Sequence, residues 1–146
     1  MTPTERIYPA LMAVVYGASL IATWGFTSLA LDADVIAEPD AGPLLGPAMA
    51  AGAILVTLAW LSRVRTAART WGIPVLAAAS AWFVMLLVGS LGYAATRGEP
   101  AWALLFAGRY AASAFLLLPA VLAGVVVVIA AALVGRSPEA RSFDRR

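Results

Sequence analysis

The chain has 146 residues, 62% of them hydrophobic and 12% charged, with a formal net charge of +2 and a mean hydropathy of +0.88. Soluble domains carry about 25% charged residues, so this composition excludes an ordinary soluble fold and makes lipid the expected solvent. Cys, His, Lys, Asn and Gln are absent, which removes disulfides, thiol relays, Cys- or His-ligated metals, bis-His haem, His proton relays and N-glycosylation sequons.

In chain order, a short polar start ending at Arg6 leads into the first apolar run, residues 7–31. That run is longer than a signal-peptide core of about 7–15 residues. It is therefore expected to stay as a span, although Ser28-Leu29-Ala30 has the small-x-small pattern of a cleavage site. The next segment holds Asp32, Asp34, Glu38 and Asp40 with no cation, and Pro39, Gly42, Pro43 and Pro47 separate it from the second run, residues 44–61. Arg63, Arg65 and Arg69 follow. The third run covers residues 73–95, and the tight turn Arg97-Gly98-Glu99-Pro100 joins it to the fourth, residues 101–134, as an antiparallel neighbour. Residues 135–146, with Arg136, Arg141, Arg145 and Arg146, read as a disordered cytoplasmic tail.

Each run is long enough for a hydrocarbon core about 30 Å thick, which needs ~20 helical residues. The expected fold is an all-α integral membrane four-helix bundle forming one domain, up-down-up-down. Arginines cluster on alternate sides: Arg6, then Arg63, Arg65 and Arg69, then the tail, against Arg97 and a boundary Arg109. The positive-inside rule puts both termini in the cytoplasm and the acidic loop outside a plasma (inner) membrane. Tyr8, Trp60 and Trp71 mark the inner boundary, and Trp24, Tyr93 and Trp102 the outer one. Arg as the sole long cation, with abundant Ala, points to a GC-rich bacterial genome.

The pI near 9.5 follows from this topology. No basic face with interleaved aromatics exists, so nucleic acid is not an expected partner. Expected partners are the bilayer, with Arg63, Arg65, Arg69 and Arg136 holding anionic lipid on the cytoplasmic face, and a membrane protein or a second copy of the chain.

Arg109 is the charge nearest a span interior. Counting ~20 residues back from Val134 puts the outer core edge near Ala114, and one tilted helix over residues 101–134 brings Arg109 to the same edge. There it anchors at the interface beside Tyr110, or faces inward to bind an anion or pair with Asp32, Asp34 or Glu99 as an outer-face polar site. The acidic loop has oxygen ligands of the kind Ca²⁺ takes, but lacks the spacing of an EF-hand. A solvated loop is the expectation, with no metal and no cofactor. Ala48 with Gly52, and Ala120 with Gly124, suit close helix packing. The indole of Trp82 needs an acceptor, for which Ser19 lies at a suitable depth. Pro119 frees the Phe115 carbonyl and invites a kink.

No Asp or Glu lies inside a run, whereas proton-coupled carriers place one on the pathway. The chain departs in this from the small multidrug-resistance transporters, which carry a glutamate in the first span. No nucleophile–base pair or phosphate loop is visible, so no enzyme is expected. The reading is a non-catalytic accessory, assembly or envelope component. The rivals are an oligomeric channel or exporter for small or apolar solutes with Arg109 at its outer mouth, and, more weakly, a lipid-modifying enzyme using Ser or Asp.

Overall fold

The computed structural model describes residues 3–38, 40–64 and 72–134. They form five helices and, among the described residues, no strand: α1 Pro3–Leu31, α2 Leu45–Arg63, α3 Gly72–Arg97, α4 Ala101–Tyr110 and α5 Ala114–Val134. Four of them contain stretches long and apolar enough to cross a membrane: Ile7–Leu31, Leu45–Arg63, Gly72–Arg97 and Ala114–Leu133. Pro9 and Pro119 lie inside α1 and α5, and two other prolines stand where a helix tolerates them. Pro47 and Pro74 lie in first turns, where the missing N–H has no helical partner to lose.

The fourth apolar run is not one helix. It breaks at residues 111–113, and α4 alone, at about 15 Å, reaches across only half of a hydrocarbon core. Ser113 causes the break by opening α5. Its carbonyl accepts from the Leu116 and Leu117 amides, and its hydroxyl accepts from the Phe115 amide at 3.2 Å. A serine that satisfies the first amides of a helix starts a new one instead of continuing the old.

α2 and α3 pair in reverse order along their lengths. A Cβ on Gly89 would meet Met49, one on Gly52 would meet Val84, and the Trp60 indole donates to Ser80 Oγ at 2.8 Å. α3 and α5 approach closely at Gly124, where a Cβ would stand 3.0 Å from the Pro74 carbonyl oxygen. Gly52 and Gly124 thus seat α2 and α5 on α3, as small residues do between membrane helices. The Gly42–Gly46 pair plays no such part, since neither faces a neighbouring atom within 4 Å, and Gly42 (φ 73°) serves the turn into α2.

The core runs the length of the bundle through Tyr16, Leu20, Met49, Ala53, Met85, Leu116 and Val127. Outside it, large apolar side chains stay uncovered on the helices, including Phe26 at 74%, Leu29 at 82% and Val75 at 67% exposure. Water penalises such a surface and lipid does not.

Gly89→Val should destabilise the protein by about 1–3 kcal/mol, because its side chain must displace Phe106 and Met49. Gly25→Ala, in open space on the exposed face of α1, should leave stability equal or higher. Thermal unfolding in detergent checks both.

Candidate functional site

The break between α4 and α5 and the Pro119 ring leave backbone carbonyls without helical donors, and aromatic side chains from α1 and α3 supply them. Pro119 has no N–H to offer Phe115, and the Trp24 indole donates to the Phe115 carbonyl instead, at 2.7 Å. The Ala111 carbonyl at the break accepts from the Trp82 indole at 2.8 Å. The Tyr16 hydroxyl donates to the Pro119 carbonyl at 3.2 Å. An unpaired carbonyl in an apolar interior costs about 1–3 kcal/mol, so the bonds to Phe115 and Ala111 remove a substantial penalty. The Pro119 carbonyl lies within α5, where Ala123 stands four residues on, and the Tyr16 bond adds to it.

The expected acceptor for Trp82 was Ser19, and the structure gives Ala111. Ser19 is half-buried and its carbonyl accepts from Thr23 Oγ1 at 2.7 Å. The change follows from energetics: a carbonyl orphaned by a helix break needs a donor more than a serine hydroxyl, which can turn to bond its own helix.

A second polar cluster lies where the acidic loop meets α3 and α4. The loop leaves α1 at Asp32, which takes φ 46°, and lays Val35 and Ile36 against the core. Glu38 then joins α4. Arg109 Nη1 donates to Glu38 Oε1 at 2.7 Å, and the Tyr110 hydroxyl donates to Glu38 Oε2 at 2.5 Å. The Ala37 amide donates to the same hydroxyl at 2.8 Å. Asp40 binds Arg97, whose Nη2 donates to Oδ2 at 2.5 Å and to the Tyr93 hydroxyl at 3.3 Å. The Arg97 guanidinium also lies 4.7 Å from the Trp102 ring centroid.

An aromatic column backs these ion pairs. Phe106 stacks on Tyr110 with centroids 4.4 Å apart, and Tyr93 meets Phe106 at 5.7 Å and Trp102 edge-on at 5.9 Å. Burial, and then the bond with Glu38, push the Tyr110 phenol up to about 12.

The carboxylate at Arg109 is therefore Glu38, and not Asp32, Asp34 or Glu99. The reason is the course of the loop: Asp32 and Asp34 lie before the segment that folds onto α4, and Glu99 lies in the turn at the opposite end of α4 from Arg109. All three are exposed. Glu38 and Asp40 turn to separate arginines, and among the described residues no three carboxylates or other ligands converge to hold a metal. At the other end of α2, Arg63 lies 5.7 Å from the Trp60 ring centroid. Arg65, Arg69 and Arg136, and the tail, lie outside the described residues.

A recess of about 340 Å³ opens between α3 and α5, lined by Pro74, Val75, Ala78, Val121, Gly124 and neighbouring aliphatic residues. Its walls present no side chain able to bond a polar solute.

Fold and site together define an all-α protein with four membrane-length helices, one broken second half-helix, and a polar loop tied to it by two arginines. The chain belongs to the family of unknown function DUF6121, whose family model matches residues 4–145. No curated protein and no solved structure matches it.

Trp82→Phe should cost about 1–3 kcal/mol by leaving the Ala111 carbonyl unpaired, whereas Phe83→Leu on the exposed face should stay within about 0.5 kcal/mol. Unfolding in detergent measures both. Tyr110 holds its proton more tightly when folded than at the reference value of about 10, so its contribution is complete below pH ~10 and is lost as pH rises through about 12. The stability of Tyr110→Phe should accordingly fall less steeply than that of the parent over this window.

Proposed function

We propose that the protein is a multi-pass membrane component without catalytic activity, working through contacts with a protein or lipid partner in accessory, assembly or envelope roles. The observation that carries this reading is that three interior aromatic donors turn to the chain's own backbone. Tyr16, Trp24 and Trp82 are spent on the chain's own carbonyls, which is what a structural bundle needs and a transport path or catalytic centre does not. Arg109, the residue a channel would present at its mouth, is engaged by Glu38, and the α3–α5 recess is apolar. The engagement of Arg109 favours the contact reading over a channel or exporter for small or apolar solutes with Arg109 at its outer mouth.

In this reading the helices alternate up and down in a plasma membrane, with both termini cytoplasmic and the acidic loop outside. Arg63, Arg65, Arg69 and Arg136 then meet the anionic inner leaflet at up to about 1 kcal/mol each. The loop, seated on α4 and α3, offers Asp32 and Asp34 outward as its contact charges; both are exposed.

The test is purification from native membranes in mild detergent. A stoichiometric companion should co-elute with the parent and be depleted in Asp32→Asn/Asp34→Asn; a monomer with no companion under these conditions overturns the reading. The cysteine-free sequence lets single substitutions report orientation. Asp34→Cys should react with an impermeant maleimide on intact cells and Ser62→Cys only after permeabilisation; the reverse pattern contradicts the proposed topology.

A further inference from the structure

The polar bonds that tie the loop between α1 and α2 to α3 and α4 are few, and all but the one from the Ala37 amide converge on two carboxylates. Its two ends carry the positive-φ residues Asp32 (φ 46°) and Gly42 (φ 73°), so the segment between them is set off from both helices. Its backbone is fastened to the end of α1, where the Ala33 amide donates to the Ser28 carbonyl and the Ser28 hydroxyl to the Ala33 carbonyl. Beyond that the Ala41 amide bonds within the loop to the Glu38 carbonyl, and the Ala37 amide reaches Tyr110. The links to α3 and α4 are Glu38 on Arg109 and Tyr110, Asp40 on Arg97, the Ala37 amide on Tyr110, and the apolar seating of Val35 and Ile36.

We propose that this segment is an acid-released strap: protonating Glu38 and Asp40 frees it from α3 and α4 while the helices stay packed. The charged and titratable groups facing the two carboxylates are arginines and phenols. Glu38 faces Arg109 and the Tyr110 phenol from α4, and the field of Arg97 from α3 reaches it as well. Asp40 faces Arg97, which also binds the Tyr93 hydroxyl. No carboxylate lies between either acid and its arginine, so the attraction is lost only when the acids themselves take up protons.

The consequence is a change of sign at this end of the molecule. Ionised, it presents Asp32, Asp34, Glu38, Asp40 and Glu99 against Arg97 and Arg109. Once the acids are protonated, the two arginines remain as its only charges and Val35 and Ile36 lose their cover. Acid thus converts an acidic, seated surface into a basic one with apolar residues at its centre. A surface of that kind favours anionic and apolar partners, where the closed strap favours basic ones.

A nitroxide on Ala37→Cys in the otherwise intact, cysteine-free chain reads the strap directly; Ala37 is exposed, so the label does not disturb the core. In detergent at pH 7 the label should be restrained. At about pH 2, well below the reference carboxylates of about 4, its motion should quicken severalfold and recover on return to pH 7. In Glu38→Gln/Asp40→Asn it should be fast at both pH values. A companion label on Ser62→Cys, at the far end of α2, should change at neither. The proposal is overturned by equal motion of the Ala37 label at both pH values in the parent. It is overturned equally by a pH response that survives in the double variant, by restraint of the label there, or by loosening at Ser62 alongside it, which marks general unfolding.

Discussion

A carbonyl in an apolar interior must find a donor, and this constraint explains more of the structure than any other. Within a helix the next turn supplies it. Here the last apolar run is interrupted twice, by the Ser113 cap and by Pro119, and each interruption orphans a carbonyl. The Trp82 and Trp24 indoles answer them at Ala111 and Phe115. Each bond therefore fixes two things together: the broken helix is made tolerable, and α1 and α3 are set in register against it.

The placement of α4 depends on that solution. The break ends α4 where its last turn can present Arg109 and Tyr110 to the loop, and the column Trp102, Phe106 and Tyr110 packs its inner side against Tyr93 of α3. Glycines allow the close approach: Gly89 accepts Phe106 where any larger residue would collide with it. The acidic loop then rests on a surface that exists only because α4 stops where it does. Sequence, break, aromatic packing and loop seating form one chain of dependence, from Ser113 and Pro119 outward.

Much of the fold was legible in the sequence because lipid imposes a simple requirement on length and apolarity. The first three runs became α1, α2 and α3 with bounds moved by only a few residues. Counting back from Val134 marked Ala114, where α5 begins, but did not reveal that α4 would be a separate helix, since Ala111 and Ala112 give no sign of a stop. The freed Phe115 carbonyl followed from Pro119 alone. Its donor did not, because Trp24 near the end of a span reads equally well as an interfacial aromatic. The partner of Arg109 was the least legible feature. Five carboxylates precede or flank it at that end, and only the path of the loop, set by Asp32, Gly42 and the seating of Val35 and Ile36, selects Glu38.

The claim that orphaned carbonyls organise the bundle is tested most directly by a double-mutant cycle between Trp24 and Pro119. Pro119→Ala restores an N–H able to bond the Phe115 carbonyl, so the indole becomes dispensable there. Trp24→Phe should cost about 1–3 kcal/mol in the parent and clearly less in the Pro119→Ala background, a coupling above about 0.5 kcal/mol by reversible unfolding. Equal costs in the two backgrounds would show that Trp24 contributes packing alone, and would contradict the account.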